Sequence, residues 1–187
     1  MRRATYLLIG FFSLFWLAGC IGPVNSYAPY QASNYRPVFL GYAAKKGGIY
    51  TNVSDAPFPS ETTARDQVIT RTLEESHFGP PVSFYVDPAL QQGSPYRVEL
   101  AFNPAINASA DKLCQSSEVP RSDYPDQIRV MAAFCNSDYL LTSTVAWIPR
   151  VDNPADPTFT QLMRQVGVQI FPPQGDIRDR NPFIIFE

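Results

Sequence analysis

The chain has 187 residues, enough for one domain with a sizeable core. Fifteen Lys and Arg against 17 Asp and Glu leave a net charge of −2, which argues against a nucleic-acid partner and against an electrostatic membrane patch. Thirteen Phe in a 45% hydrophobic composition exclude wholesale disorder, and 18 Pro predict short elements separated by many loops.

The first stretch is the most specific. Arg2 and Arg3 precede an almost wholly apolar run, which ends in Leu17-Ala18-Gly19-Cys20. A basic start, an apolar middle and small residues before a cut are the layout of a secretory signal. A transmembrane helix needs about 20 apolar residues, and Ala4 to Ala18 supplies 15. With its cysteine directly after the small residues, the segment resembles the lipobox signal peptide of bacterial lipoproteins. The resemblance implies cleavage between Gly19 and Cys20 and fatty acylation (palmitate among the chains) at Cys20. Ile21 stands where an aspartate would retain a Gram-negative lipoprotein in the inner membrane, so the resemblance leans to the outer membrane, facing the periplasm. Cleavage would leave 168 residues (187 − 19) with 13 basic and 17 acidic side chains, a net charge of −4.

Residues 20–37, with Pro23, Pro29 and Pro37, read as a lipidated N-terminus and tether. Within it Tyr27, Tyr30 and Tyr35 are candidates either for interfacial anchoring or for folding back onto the domain. Residues 38–173 read as the globular part. Val38–Tyr42 and Ile49–Val53 flank Lys45-Lys46-Gly47-Gly48 and predict a hairpin. Pro57-Phe58-Pro59 breaks the chain. Ser60 is a candidate N-cap for a helix over 61–77, with Ala64, Val68, Ile69, Thr72 and Leu73 as its apolar stripe. Residues 82–86 read as a strand. In a second strand, over 96–102, Tyr96, Val98, Leu100 and Phe102 share one face and Arg97 and Glu99 the other. Residues 103–126 predict a long loop with one helical turn near 109–113. Residues 127–134 and 139–147 form a hairpin. A helix over 157–166 carries Phe159, Leu162, Met163 and Val166, and a short apolar strand follows at 168–171. Residues 174–187 are a tail.

If Cys20 is acylated, Cys114 and Cys135 remain. In an oxidising compartment their simplest state is a disulfide; a metal pair or two free thiols are the alternatives. The closed loop of 21 residues suggests about 3 kcal/mol of stabilisation in the chain-entropy model. No metal site is expected, since no Cys-x-x-Cys occurs and His77 is the only histidine. Glu118, Asp123 and Asp126 lack calcium-loop spacing.

No catalytic motif is present: no Gly-x-Ser-x-Gly, Walker loop or His-Glu-x-x-His. Pro57-Phe58-Pro59, His77-Phe78-Gly79-Pro80-Pro81, Phe102-Asn103-Pro104 and Ala133-Phe134-Cys135 together are similar to small Gram-negative lipoproteins, a resemblance that implies a location and no activity. The expected fold is α+β, a mainly antiparallel sheet with two amphipathic helices on one face, with a β-sandwich as the alternative. The expected function is that of a non-enzymatic, membrane-anchored binding or scaffold protein of the envelope, without cofactor, with an envelope protein as a possible partner. The alternatives are a small-molecule or lipid-binding module with an apolar pocket between helices and sheet, and a hydrolase using His77.

Overall fold

The computed structural model describes residues 24–91 and 93–173. Gly19 and Cys20 of the lipobox and the tail from 174 lie outside the described residues. The centre is a mostly antiparallel sheet built from three long strands, β5 (Tyr96–Phe102), β6 (Gln127–Asn136) and β7 (Tyr139–Pro149). On one side, β5 pairs in parallel with β3 (Ile49–Ser54), and β3 with the two-residue β4 (Phe84–Tyr85). On the other, β1 (Asn25–Ser26) and β2 (Tyr30–Gln31) both lie antiparallel on β7. With four α-helices among the described residues, the protein is α+β.

The alternation along β5 decides its two faces. Val98, Leu100 and Phe102 enter the larger core with Val130 and Phe134 of β6 and Ala146 and Ile148 of β7. That core is covered by α1 (Val38–Lys45), α2 (Thr62–Glu75) and α4 (Pro157–Ile170). α3 (Ala110–Ser116) covers the other face, where Leu113 and Cys114 meet Ala101, Met131, Ala133 and Cys135.

The start of α4 is set by local chemistry: the Asp156 carboxylate accepts the Thr158 N–H at 2.8 Å, and Pro157 sits at the first helical position. Phe159, Leu162, Met163 and Val166 are fully buried as their spacing predicts. The expected strand at 168–171 does not form. Ile170 continues the same stripe one turn on, and the helix runs through it. α4 approaches α2 closely at Gly167, where an added Cβ would come within 2.6 Å of Ser76 Cβ.

Three further expectations are corrected. Val38–Tyr42 is helix, not the first arm of a hairpin: Leu40 and Ala43, three apart, are the positions that reach the core. Gly47 (φ 90°) and Gly48 (φ 118°) therefore end a helix and lead into β3. Residues 20–37 are not all tether, because 25–31 add strands to the sheet and Tyr35 is 1% exposed in the core. α2 is capped by neither Ser60 nor any other side chain; Glu61 flanks it, and Ala64 faces solvent while Ile69, Thr72 and Leu73 are buried.

Candidate functional site

Parallel strands leave their carboxyl ends on one side, and ligands of α/β sheets gather at such ends. Here β3 ends at Ser54 and β5 at Phe102. The residues beyond them line a surface cleft of about 400 Å³, together with the start of β6 and the chain after β7. Three of its non-glycine residues have left-handed backbone: Asp55 (φ 45°), Phe58 (φ 60°) and Asn103 (φ 52°). Such conformations cost about 1–3 kcal/mol each and concentrate where a loop must hold a set shape. For Asn and Asp the cost is small; for Phe it is not. The Phe58 ring offsets it by packing edge-on against Phe159 at 5.2 Å, and its carbonyl accepts the Glu61 N–H at 3.0 Å. Asn103 is held from both sides: its N–H donates to the Arg129 carbonyl (2.8 Å) and its carbonyl accepts from Ser122 N–H (3.0 Å). Arg121 pairs with Asp55.

The fold thus brings together two of the sequence's proline-aromatic stretches, 57–59 and 102–104, at one cleft. Its polar lining comes from Asp55, Ser60, Glu61, Asn103, Gln127, Arg150 and Asp152. This set can hold a polar ligand by hydrogen bonds and one guanidinium. Ser60 is its one hydroxyl, and the side chains that line it with Ser60 include three carboxylates and no histidine.

His77 lies elsewhere. Its Nδ1 accepts the Gly79 N–H at 3.2 Å, which assigns the proton to Nε2. Nε2 is buried without a partner among the described residues, and the ring sits 6.1 Å from both Phe84 and Phe171. Burial lowers its pKa below 6.5, partly countered by Glu74. The ring is a neutral member of an aromatic cluster. Among the described residues, no group of three His, Cys, Asp or Glu is placed to hold a metal, Glu118, Asp123 and Asp126 included.

Cys114 and Cys135 form a disulfide across a Cα–Cα distance of 5.7 Å, with both residues fully buried. A polar clamp that sequence reasoning missed reinforces it. The Arg97 Nε donates to Glu99 Oε1 (2.6 Å) and Nη1 to the Ser137 carbonyl (2.6 Å), and Nη2 donates to the Cys114 carbonyl. Glu99, 1% exposed, also accepts from Asn52 Nδ2 (2.8 Å) and Ser117 Oγ (2.9 Å). The available signal was two opposite charges two residues apart on the non-core face of a strong strand.

The three candidate anchor tyrosines divide. Tyr35 folds back: its hydroxyl donates to the Pro172 carbonyl, and burial pushes its pKa up to about 12. Tyr27 and Tyr30 are 54% and 52% exposed. Tyr27 packs on Trp147 at 5.0 Å, and both rings, with that of Tyr124, surround the Arg129 guanidinium at 5.2–5.5 Å.

No family model matches the sequence, and no curated protein does. Among solved structures the chain is similar to the PelC dodecamer from Paraburkholderia phytofirmans, at 10% identity and a TM-score of 0.45, covering 83% of this chain and 100% of that one. A point variant of the same protein gives 11% identity, a TM-score of 0.45, and 82% and 100% coverage. Likeness of this degree carries no argument about function.

Proposed function

We propose that the protein is a lipid-anchored envelope protein that acts by binding or scaffolding rather than by catalysis. The observation that carries the reading is Leu17-Ala18-Gly19-Cys20. The Cys114–Cys135 disulfide supports it, since an exported chain keeps such a bond. Among the described residues, no helix is long and apolar enough to cross a membrane. Two or more acyl chains hold a protein firmly where one holds it marginally, at about 0.8 kcal/mol per buried CH₂.

The test is metabolic labelling with an alkyne fatty acid. The wild type should label and fractionate with the outer membrane, and Cys20→Ser should lose the label and either remain as uncleaved precursor or be released. A labelled Cys20→Ser protein in the outer membrane sinks the reading.

The cleft favours a second reading, a small polar ligand held between the ends of β3 and β5, because three residues with left-handed backbone fix its shape. A photo-crosslinker at Arg150 separates the two. One specific protein adduct supports scaffolding. Thermal stabilisation by a small polar ligand, abolished by Arg150→Ala, supports the second reading.

A further inference from the structure

Arg129 is an incomplete site. It is 9% exposed, and its Nε is buried with no hydrogen-bond partner. Among the described residues, no carboxylate lies within 4 Å of its guanidinium: the ion pairs are made by Arg65, Arg71, Arg97 and Arg121. Three rings surround the cation at 5.2–5.5 Å, offering it their electron-rich faces. Aromatic faces do not replace the oxygen acceptor that its buried Nε–H has given up in leaving water. What is missing at Nε is an oxygen acceptor, and the guanidinium fork matches the oxygens of a phosphate.

The tether decides where such a phosphate would come from. Only four peptide steps separate Cys20 from Val24, the first described residue, a reach of at most about 14 Å. The next residue, Asn25, is already paired with Trp147. An acylated Cys20 would therefore hold Trp147 close to the lipid headgroups, a zone roughly 5–8 Å deep on each side of the hydrocarbon. The surface so presented carries half-exposed Tyr27 packed on Trp147, with half-exposed Tyr30 further along β7 opposite Ser143, the amphipathic rings that suit such a boundary. We infer that the Tyr27–Tyr124–Trp147 cage around Arg129 seats the phosphate of a bilayer phospholipid in the membrane that the Cys20 anchor enters. The inference rests on the anchoring reading above, and it makes the anchor and the cage two separate contacts.

The sequence has two tryptophans, Trp16 and Trp147, and cleavage before Cys20 leaves Trp147 alone as a fluorescent reporter. The acylated protein, purified from membranes, is reconstituted in phosphatidylethanolamine–phosphatidylglycerol vesicles carrying either headgroup or chain-end spin-labelled lipid. The headgroup label should quench Trp147 at least two-fold more strongly. Arg129→Gln should remove most of that difference while the protein still floats with the vesicles. Tyr27→Ser, at an exposed edge position, should weaken it if Arg129→Gln does not fold. Phosphate-free glycolipid vesicles should lower quenching of the wild type to the variant's level. Floating protein with unquenched Trp147, or variants that quench like the wild type, overturns the inference and leaves the anchor standing. Failure to float overturns both. A response of Trp147 to inorganic phosphate or to an acidic peptide, without quenching in vesicles, replaces the lipid with that ligand.

Discussion

The two faces of the sheet are held by different physics. The larger face is an aromatic and aliphatic interior: Phe102, Phe134, Phe159 and Phe171 are all at most 1% exposed, in two ring clusters, Phe58–Phe159–Phe102 beside the cleft and Tyr35–Phe134–Phe171 away from it. Its strength scales with buried apolar area and is spread over many residues. The smaller face has one short helix over few buried side chains, and it is held by a disulfide, a buried ion pair and the carbonyls these reach. Its strength is concentrated in a few groups, and the disulfide, Arg97 and Glu99 each reach the 103–126 segment, at Cys114 and Ser117. Damage to the first face should weaken the whole domain; damage to the second should release one segment.

The largest effect should come from Phe159→Ala, which empties the contact between Phe58 and Phe102. A loss of about 3–5 kcal/mol is expected in urea unfolding, as a single cooperative transition. A separate early transition would mean that the larger face does not act as one unit. Reduction of Cys114–Cys135 should cost about 3 kcal/mol. Here the signature is local: protease should cut within residues 105–125 before any other site. Cys114→Ser and Cys135→Ser should behave alike, and the double variant should be no worse than either. Uniform cleavage would show that the Arg97 clamp already suffices to hold α3. Asn52→Ala removes one of the acceptor contacts of Glu99 and should cost about 1 kcal/mol in oxidised protein. It should cost more after reduction, when the clamp is the remaining hold, and an equal loss in both states would sever the link between clamp and disulfide.

A pH titration sharpens the contrast further. Burial lowers the folded-state pKa of His77 below 6.5, so just below pH 6.5 the unfolded chain binds a proton that the folded one does not. Stability should therefore fall as pH drops below 6.5 towards the folded value. His77→Phe should flatten that slope, and a slope unchanged by the substitution would assign it to other groups. The smallest effect is expected for Glu75→Ala, whose i,i+4 partner Arg71 lies in solvent: no measurable shift in melting temperature.

Much of the larger face was legible in the sequence because its elements carry strong periodicity. The alternation of Tyr96–Phe102 and the helical stripe from Phe159 to Val166 each point to one structure, and each is buried as expected. The cysteine pair was legible from counting, together with the secretory layout expected of the first twenty residues. What failed was local ambiguity resolved by packing. Val38-Phe39-Leu40 favours a strand by residue type, yet the burial of Leu40 and Ala43 makes a helix of it. Residues 25–31 look like a linker, with Pro29 and polar neighbours, because two-residue strands leave no pattern to read. The Arg129 cage draws on residues 27, 124, 129 and 147, which no linear spacing connects.

The strap formed by β1 and β2 has a consequence for solubility. β7 runs for eleven residues, and without the strap its outer edge would be a long row of free backbone donors and acceptors. Tyr27 N–H and Ala32 N–H donate to the Val145 and Leu141 carbonyls, and Gln169 of α4 grips Ser26 at 2.8 Å, so the edge is closed from 141 to 147. Open edges recruit strands from other chains. A protease that trims the protein after residue 32 would thus leave a folded domain primed to associate edge to edge. Sedimentation of the trimmed protein should show concentration-dependent self-association that the intact chain lacks, and a trimmed protein that stays monomeric would show that the edge is guarded by other means.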